Sequence, residues 1–192
     1  MNAEVFNRAD SVLCVVDVQK VFLDQLRLGE AEALTARICW LIRAASAFSI
    51  PIVAMAEGIA LNGTLAEPVG DALPDGCVIH DKSVFNLTGQ AEVLAAVRAT
   101  GRQQVILCGM ETDICIAQSA VGLKAKGFTV GAVADACSSP ANQDAEAFAR
   151  MQAAGVIPLT LRGIFYEWVG DLETLAWVKT EIGSPLPEGL VL

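Results

Sequence analysis

One histidine is all this chain has. His80 stands alone among 192 residues, so a metal site needing two or three imidazoles cannot be built within one chain. None of the six cysteines forms a CxxC pair, which removes the thiolate knuckles that hold structural zinc. Neither a metal nor a cofactor is therefore expected. Basic residues are also scarce: Lys plus Arg total 13 against 22 Asp plus Glu, a formal net charge of −9, and nothing clusters them. That balance argues against nucleic acid or an anionic membrane as partner. Hydrophobic residues make up 54% of the chain and the mean hydropathy is +0.49, yet no long apolar stretch is free of charged or turn-forming residues. A membrane span is not expected. The surplus apolar surface is instead expected to lie between subunits of a homo-oligomer, a dimer or tetramer. The first ten residues are polar and carry no signal-peptide core, which points to reduced thiols and the cytoplasm.

No internal repeat or linker divides the chain, and its length suits a single domain over residues 1–192 that buries about 70% of its unfolded surface. Strand and helix patterns alternate along it. Apolar runs predict strands at 11–16, 52–56, 77–80, 104–108, 128–133 and 156–159. Between them, residues recurring at helical spacing predict helices over 30–48, 92–99, 113–126 and 139–151, and a last one over 171–182. Residues 57–76 hold glycines, prolines and no periodicity, so they read as a long loop, and 183–192 as an extended tail. The fold class that follows is α/β, a three-layer α/β/α domain with a six-stranded, mostly parallel sheet and helices on both faces.

Ligand sites in such sheets lie beyond the carboxyl ends of the strands, where strand order reverses. Three reactive residues fall at such ends: Asp17 after the first strand, Lys82 after the third, and Cys115 in the turn after the fourth. Each has an ordinary reading, as a turn cap, a solvated lysine and a small buried hydrophobe. Together they suggest more, because a carboxylate accepts a thiol proton while an ammonium and a helix N-terminus stabilise the thiolate. The cluster is expected to make a nucleophile near neutral pH. Phe22 and Phe85 neighbour these residues and are expected to wall a substrate pocket, with Glu57, at the end of strand two, as a polar contact. Cys14, Cys39 and Cys108 read as core, Cys137 as near the rim, and Asp135 as structural. His80 is expected to matter mainly through its neighbour Lys82.

Three segments also carry a resemblance. Val15-Val16-Asp17-Val18-Gln19 with Phe22, Asp81-Lys82-Ser83-Val84-Phe85, and Gly109-Met110-Glu111-Thr112-Asp113-Ile114-Cys115-Ile116 resemble, in order and spacing, the Asp, Lys and Cys motifs of the isochorismatase-like cysteine hydrolases. The resemblance covers about residues 11–170. Val133-Ala134-Asp135-Ala136-Cys137-Ser138-Ser139 and Ala149-Arg150-Met151 are similar to the branch of isochorismatase domain-containing proteins. The family implies that Asp17 takes the thiol proton, that Cys115 attacks a carbonyl, that Lys82 holds the ion pair together, and that water cleaves the resulting thioester. It further implies a cis Met110–Glu111 peptide, with the backbone N–H groups of Glu111 and Cys115 forming the oxyanion hole.

Departures from the family narrow the chemistry. The metal-binding nicotinamidase branch uses an Asp-x-His motif and a further histidine, whereas residues 57–77 contain no histidine. True isochorismatases, as the family implies, lack the cysteine. What remains is hydrolysis of a small amide, ureido or ester compound. Two other classes stay open: a thiol redox protein with Cys108 as resolving cysteine, and a non-catalytic interaction subunit on the same fold.

Overall fold

The computed structural model describes residues 5–140, 143–182 and 186–192. Six strands are formed: β1 (Ser11–Val16), β2 (Ile52–Glu57), β3 (Ile79–Lys82), β4 (Gln104–Gly109), β5 (Thr129–Cys137) and β6 (Ile157–Leu159). They make one sheet in the order β3-β2-β1-β4-β5-β6. Every strand pairing is parallel, so the sheet is wholly rather than mostly parallel. From β1 the chain moves outward to β2 and β3, then crosses back to lay β4, β5 and β6 on the other side. The order reverses between β1 and β4, which opens a crevice at their carboxyl ends.

The helices are α1 (Lys20–Leu23), α2 (Glu30–Ala47), α3 (Ile59–Asn62), α4 (Glu67–Ala72), α5 (Ala91–Ala99), α6 (Ala117–Ala125), α7 (Asp144–Ala153), α8 (Leu161–Val169) and α9 (Leu172–Ile182). They cover both faces of the sheet. Side chains alternate along a strand, so Leu13 and Val15 of β1 pack with Ile38 of α2, Phe165 of α8 and Val178 of α9. Val12, Cys14 and Val16 pack on the other face with Val97 of α5, Leu123 of α6 and Met151 of α7. All residues of β1 and β4 are buried, which is why both read as continuous apolar runs. Two central strands so enclosed make a rigid base for whatever their carboxyl ends carry.

Several boundaries differ from the sequence-based expectation. Strand β3 begins at Ile79, two residues later than expected, because register with β2 pairs Ala54 with Ile79 and Glu57 with Lys82. As an edge strand it takes in the polar Asp81 and Lys82, which apolar-run reasoning passes over. Strand β5 extends to Cys137, so Asp135 and Cys137 lie within it. The stretch expected as a bare loop holds α3 and α4, of four and six residues, too short to show a helical period. Helix α7 begins at Asp144 rather than near Ser139, and residues 141–142 lie outside the described residues. Helix α8 is not among the expected elements. Its stripe Leu161, Ile164, Phe165, Trp168 and Val169 is buried, the Thr160 side chain caps its start, and Phe165 meets Trp40 edge-on with ring centroids 5.1 Å apart. Residues 186–192 form neither helix nor strand, but Leu190 and Leu192 pack on the core and Arg162 holds the Val191 carbonyl at 2.7 Å. Residues 183–185 of the expected tail lie outside the described residues.

Candidate active site

Asp17 follows β1 in the left-handed region, at φ 51°, a conformation that Asp tolerates better than most side chains. Its N–H is held by the Met55 carbonyl at 3.0 Å, which continues the β1–β2 ladder one residue past the strand. Across the switch point, Gly109 ends β4 at φ 123°, where a Cβ would collide with the Val16 carbonyl oxygen. Glycine is required there. The Met110–Glu111 peptide that follows is cis.

Cys115 lies in a π-helical turn, Thr112–Ile116, that runs directly into α6. Such turns recur at functional sites because the extra residue per turn re-aims side chains. The turn is tied to the strand beyond: Thr112 N–H reaches the Ser138 carbonyl, the Thr112 hydroxyl meets Asp144, and the Ser139 hydroxyl both accepts from Asp113 N–H and donates to its carboxylate. These anchors had no signal in periodicity, since each joins residues 26 or more apart.

Lys82, the last residue of β3, is fully buried, and its ammonium gathers the other groups. Nζ lies 2.6 Å from Asp17 Oδ2, 3.4 Å from Cys115 Sγ and 3.5 Å from Glu57 Oε2, and it donates to the Val84 carbonyl at 3.1 Å. Asp17 is 1% exposed and Cys115 4%. A buried ammonium of this kind persists only because its charge is paired and its protons are used. Cys115 Sγ also lies 3.3 Å from Glu57 Oε2. Asp17 meets the ammonium through Oδ2, and its carboxylate lies within 4.8 Å of Sγ.

The electrostatics bear on the state of the thiol. Burial pushes the Asp17 carboxyl up to about 6, with the Lys82 charge pulling the other way. Burial and the Asp17 charge also hold the Cys115 thiol above its ordinary value, outweighing the cation of Lys82. Burial alone would lower the Lys82 ammonium, but Asp17, Cys115 and Glu57 together leave it raised. Burial and the neighbouring Asp17 carboxylate thus favour the neutral thiol, against the pull of Lys82 toward the thiolate. The thiol needs a base at the moment of attack, and Asp17 is beside it.

Glu57, expected as a polar contact in the pocket, is a direct neighbour of the thiol. Gln19, fully buried, fixes it: Oε1 accepts from Glu57 N–H at 2.7 Å, and Nε2 donates to the carbonyls of Glu57 at 3.0 Å and Gly63 at 2.6 Å. The position of Gln19 two residues after Asp17 was visible in the sequence; its use was not. The aromatic residues are placed less closely. Phe22 lies in α1, part-buried against the α2 face, and the Phe85 side chain is 52% exposed rather than enclosed. Asp135 accepts from Leu161 N–H at the start of α8, a structural role. Cys137 is buried. His80 lies on β3 opposite Met55.

Asp17, Glu57 and Cys115 offer ligand atoms within 4.8 Å of one another, the spacing of a metal cluster. The Lys82 ammonium touches all three, however, so a fixed cation already stands at the position a metal would take. A separate cavity of about 580 Å³ between α1, α2 and α4, lined by Asp24, Glu32, Cys39 and Glu67, includes none of Asp17, Glu57, Lys82 and Cys115.

Known proteins share this arrangement of elements. The chain is 28% identical over 166 residues to isochorismatase domain-containing protein 2 of Bos taurus, covering 84% of this chain and 76% of that protein. It is 29% identical over 177 residues to the probable hydrolase YcaC of Escherichia coli, covering 88% and 85%. The crystal structure of the E. coli YcaC gene product, an octameric hydrolase of unknown specificity, superposes with a TM-score of 0.84 at 24% identity over 94% of this chain and 92% of that one. A structure of the MAR1 ribonuclease of Caenorhabditis elegans matches at 26% identity and a TM-score of 0.81, over 98% of both chains. The Isochorismatase domain profile matches residues 11–162, from the first strand to the start of α8, and the chain belongs to the isochorismatase-like hydrolase family.

Proposed function

We propose that the protein is a cysteine hydrolase that cleaves a small amide, ureido or ester compound through a thioester on Cys115, with Asp17 and Lys82 completing the catalytic triad. The observation that carries this reading is the Lys82 ammonium, buried and within 3.5 Å of both Asp17 and Cys115 Sγ. In the reaction Asp17 removes the thiol proton as Sγ attacks the carbonyl carbon. Lys82 stabilises the sulfur as it gains negative charge. Asp17 then returns the proton to the departing nitrogen or oxygen, and the C–N or C–O bond breaks. The N–H groups of Glu111 and Cys115 are the proposed donors to the oxyanion. The Glu111 N–H finds no acceptor among the described residues, and one such donor lowers the barrier by about 3–4 kcal/mol where it serves. Phe22 and Phe85 are proposed to contact substrate from the rim, Phe85 with an exposed side chain available to it.

A polyanionic substrate fits poorly. The formal net charge is −9, and burial together with Asp113 and Glu57 pushes the Glu111 carboxyl upward, a sign of acidic groups gathered beside the thiol. The ribonuclease likeness therefore bears on the fold and not on the substrate. The redox alternative loses its resolving cysteine, since Cys108 is fully buried in β4 with Sγ on the Cys14 carbonyl. The proposal includes a cytoplasmic setting, where reductants keep thiols unpaired. Val21, Leu28, Leu61 and Phe85, exposed on segments that follow β1, β2 and β3, suit a homo-oligomer seated near this rim. Light scattering is expected to show more than one subunit, and a monomer mass at micromolar concentration would end that part of the proposal.

The test of function is a screen of small amides, ureido acids and esters, read by ammonia or acid release, with Cys115→Ala as control. A second readout follows from charge. Asp17 must be ionised to accept the thiol proton, so kcat/KM is expected to be flat near neutral pH and to fall tenfold per unit below about 6, the value to which burial raises this carboxyl. A profile with no acid limb down to pH 4 would mean that Asp17 is not the base.

A further inference from the structure

We infer that Glu57 is the base that activates water in the second half of the reaction, the hydrolysis of the Cys115 thioester. This division of labour rests on the nucleophile reading above. Two carboxylates flank the thiol, and they differ in access. Asp17 is 1% exposed and is paired with Lys82, which is fully buried. Glu57 has its side chain 22% exposed and still places Oε2 3.3 Å from Sγ. Once Sγ carries an acyl group, water must arrive from the open side, and Glu57 is the carboxylate that touches both that side and the sulfur. Its aim is fixed from behind. Gln19 takes its N–H and its carbonyl, Asn62 donates to the same carbonyl at 3.0 Å, and Gly58 N–H pairs with the Lys82 carbonyl at 2.9 Å. A general base has to stand within hydrogen-bond reach of the proton it removes, and this geometry puts one beside the scissile C–S bond.

The step balances without an outside reactant. Water adds its oxygen to the thioester carbonyl and gives one proton to Glu57. The tetrahedral intermediate collapses, the C–S bond breaks, and sulfur departs as a thiolate held by the Lys82 ammonium at 3.4 Å. Glu57 passes its proton to Sγ along the same 3.3 Å contact that the resting thiol makes. The acid leaves, and nothing is oxidised or reduced.

The experiment uses p-nitrophenyl acetate as probe, because its leaving group departs without a proton and acylation then needs no help from Glu57. Glu57→Gln is expected to release about one p-nitrophenolate per protein in a burst and to retain an acetyl group on Cys115. Its steady-state turnover should fall about 10²–10⁴-fold, the usual contribution of a general base. Hydroxylamine, which attacks thioesters without a base, is expected to restore turnover in this variant. Wild-type steady-state turnover in Glu57→Gln, a missing burst, or a stall that hydroxylamine fails to relieve would each overturn the proposal. Cys115→Ala separates the two ideas. If it still gives the burst, the nucleophile reading is wrong; if it is silent while Glu57→Gln turns over normally, only the role of Glu57 is wrong.

Discussion

Replacing Cys115 with Ala is expected to lower turnover of any true substrate by more than about 10³-fold, because it removes the proposed site of the covalent intermediate. The fold should survive. Cys115 is 4% exposed, and trading a thiol for a hydrogen leaves a small void whose cost is on the order of 1 kcal/mol. Circular dichroism and the melting temperature should therefore move little while activity disappears. Cys115→Ser is expected to fare nearly as badly, since a hydroxyl in this buried site is a far weaker nucleophile than a thiol. Activity retained by the alanine protein would remove the nucleophile from the account.

Lys82→Met has the second largest expected effect, and it acts on stability and reactivity together. The substitution keeps much of the side-chain volume but leaves Asp17, 1% exposed, without its cation at 2.6 Å. Breaking a buried pair from one side costs about 3–5 kcal/mol, partly relieved when the stranded carboxyl takes up a proton. The Cys115 thiol, already raised by burial and by Asp17, loses the one charge that lowers it. Alkylation by iodoacetamide near pH 7 should slow further and recover in part at high pH. Rates measured from pH 5 to 10, with thermal melts at pH 5 and 8, check both consequences. The melts carry a sign. Protonating Asp17 removes the unpaired charge, so the variant should lose less stability relative to wild type at pH 5 than at pH 8. An unchanged alkylation profile and an unchanged melt would mean that Lys82 does not serve the thiol.

What could be read in advance follows from what each signal measures. Strands β1 and β4 are buried on both faces, so their apolar runs ended close to where the structure ends them, and the positions of Asp17 and Cys115 at the switch point followed from that. Strand β3 was misplaced by two residues because an edge strand carries polar residues that hydropathy does not favour, yet Lys82 stayed at its carboxyl end. Helix α8 was legible and passed over: Leu161, Ile164, Phe165, Trp168 and Val169 follow helical spacing behind a Thr cap. The state of the thiol was not legible. Proximity of a lysine argues for a thiolate, but the balance depends on how deeply Asp17 and Cys115 are buried, a property of packing that no motif encodes. Gln19 belongs to the same class. Its side chain reads as polar in the sequence, and only the path of the chain through Glu57 and Gly63 gives it three partners.

The central claim is that Cys115 becomes acylated, and peptide mass mapping of acid-quenched protein tests it most directly. Wild-type protein mixed briefly with p-nitrophenyl acetate and quenched at low pH, where thioesters persist, should carry an acetyl group on the peptide containing Cys115 and on no other cysteine peptide. Cys14 and Cys108, fully buried in β1 and β4, serve as internal controls, with cleavage after Glu111 placing Cys108 and Cys115 on separate peptides. Substrate turnover with no acetyl on the Cys115 peptide, or acetyl spread equally over the cysteines, would contradict the account.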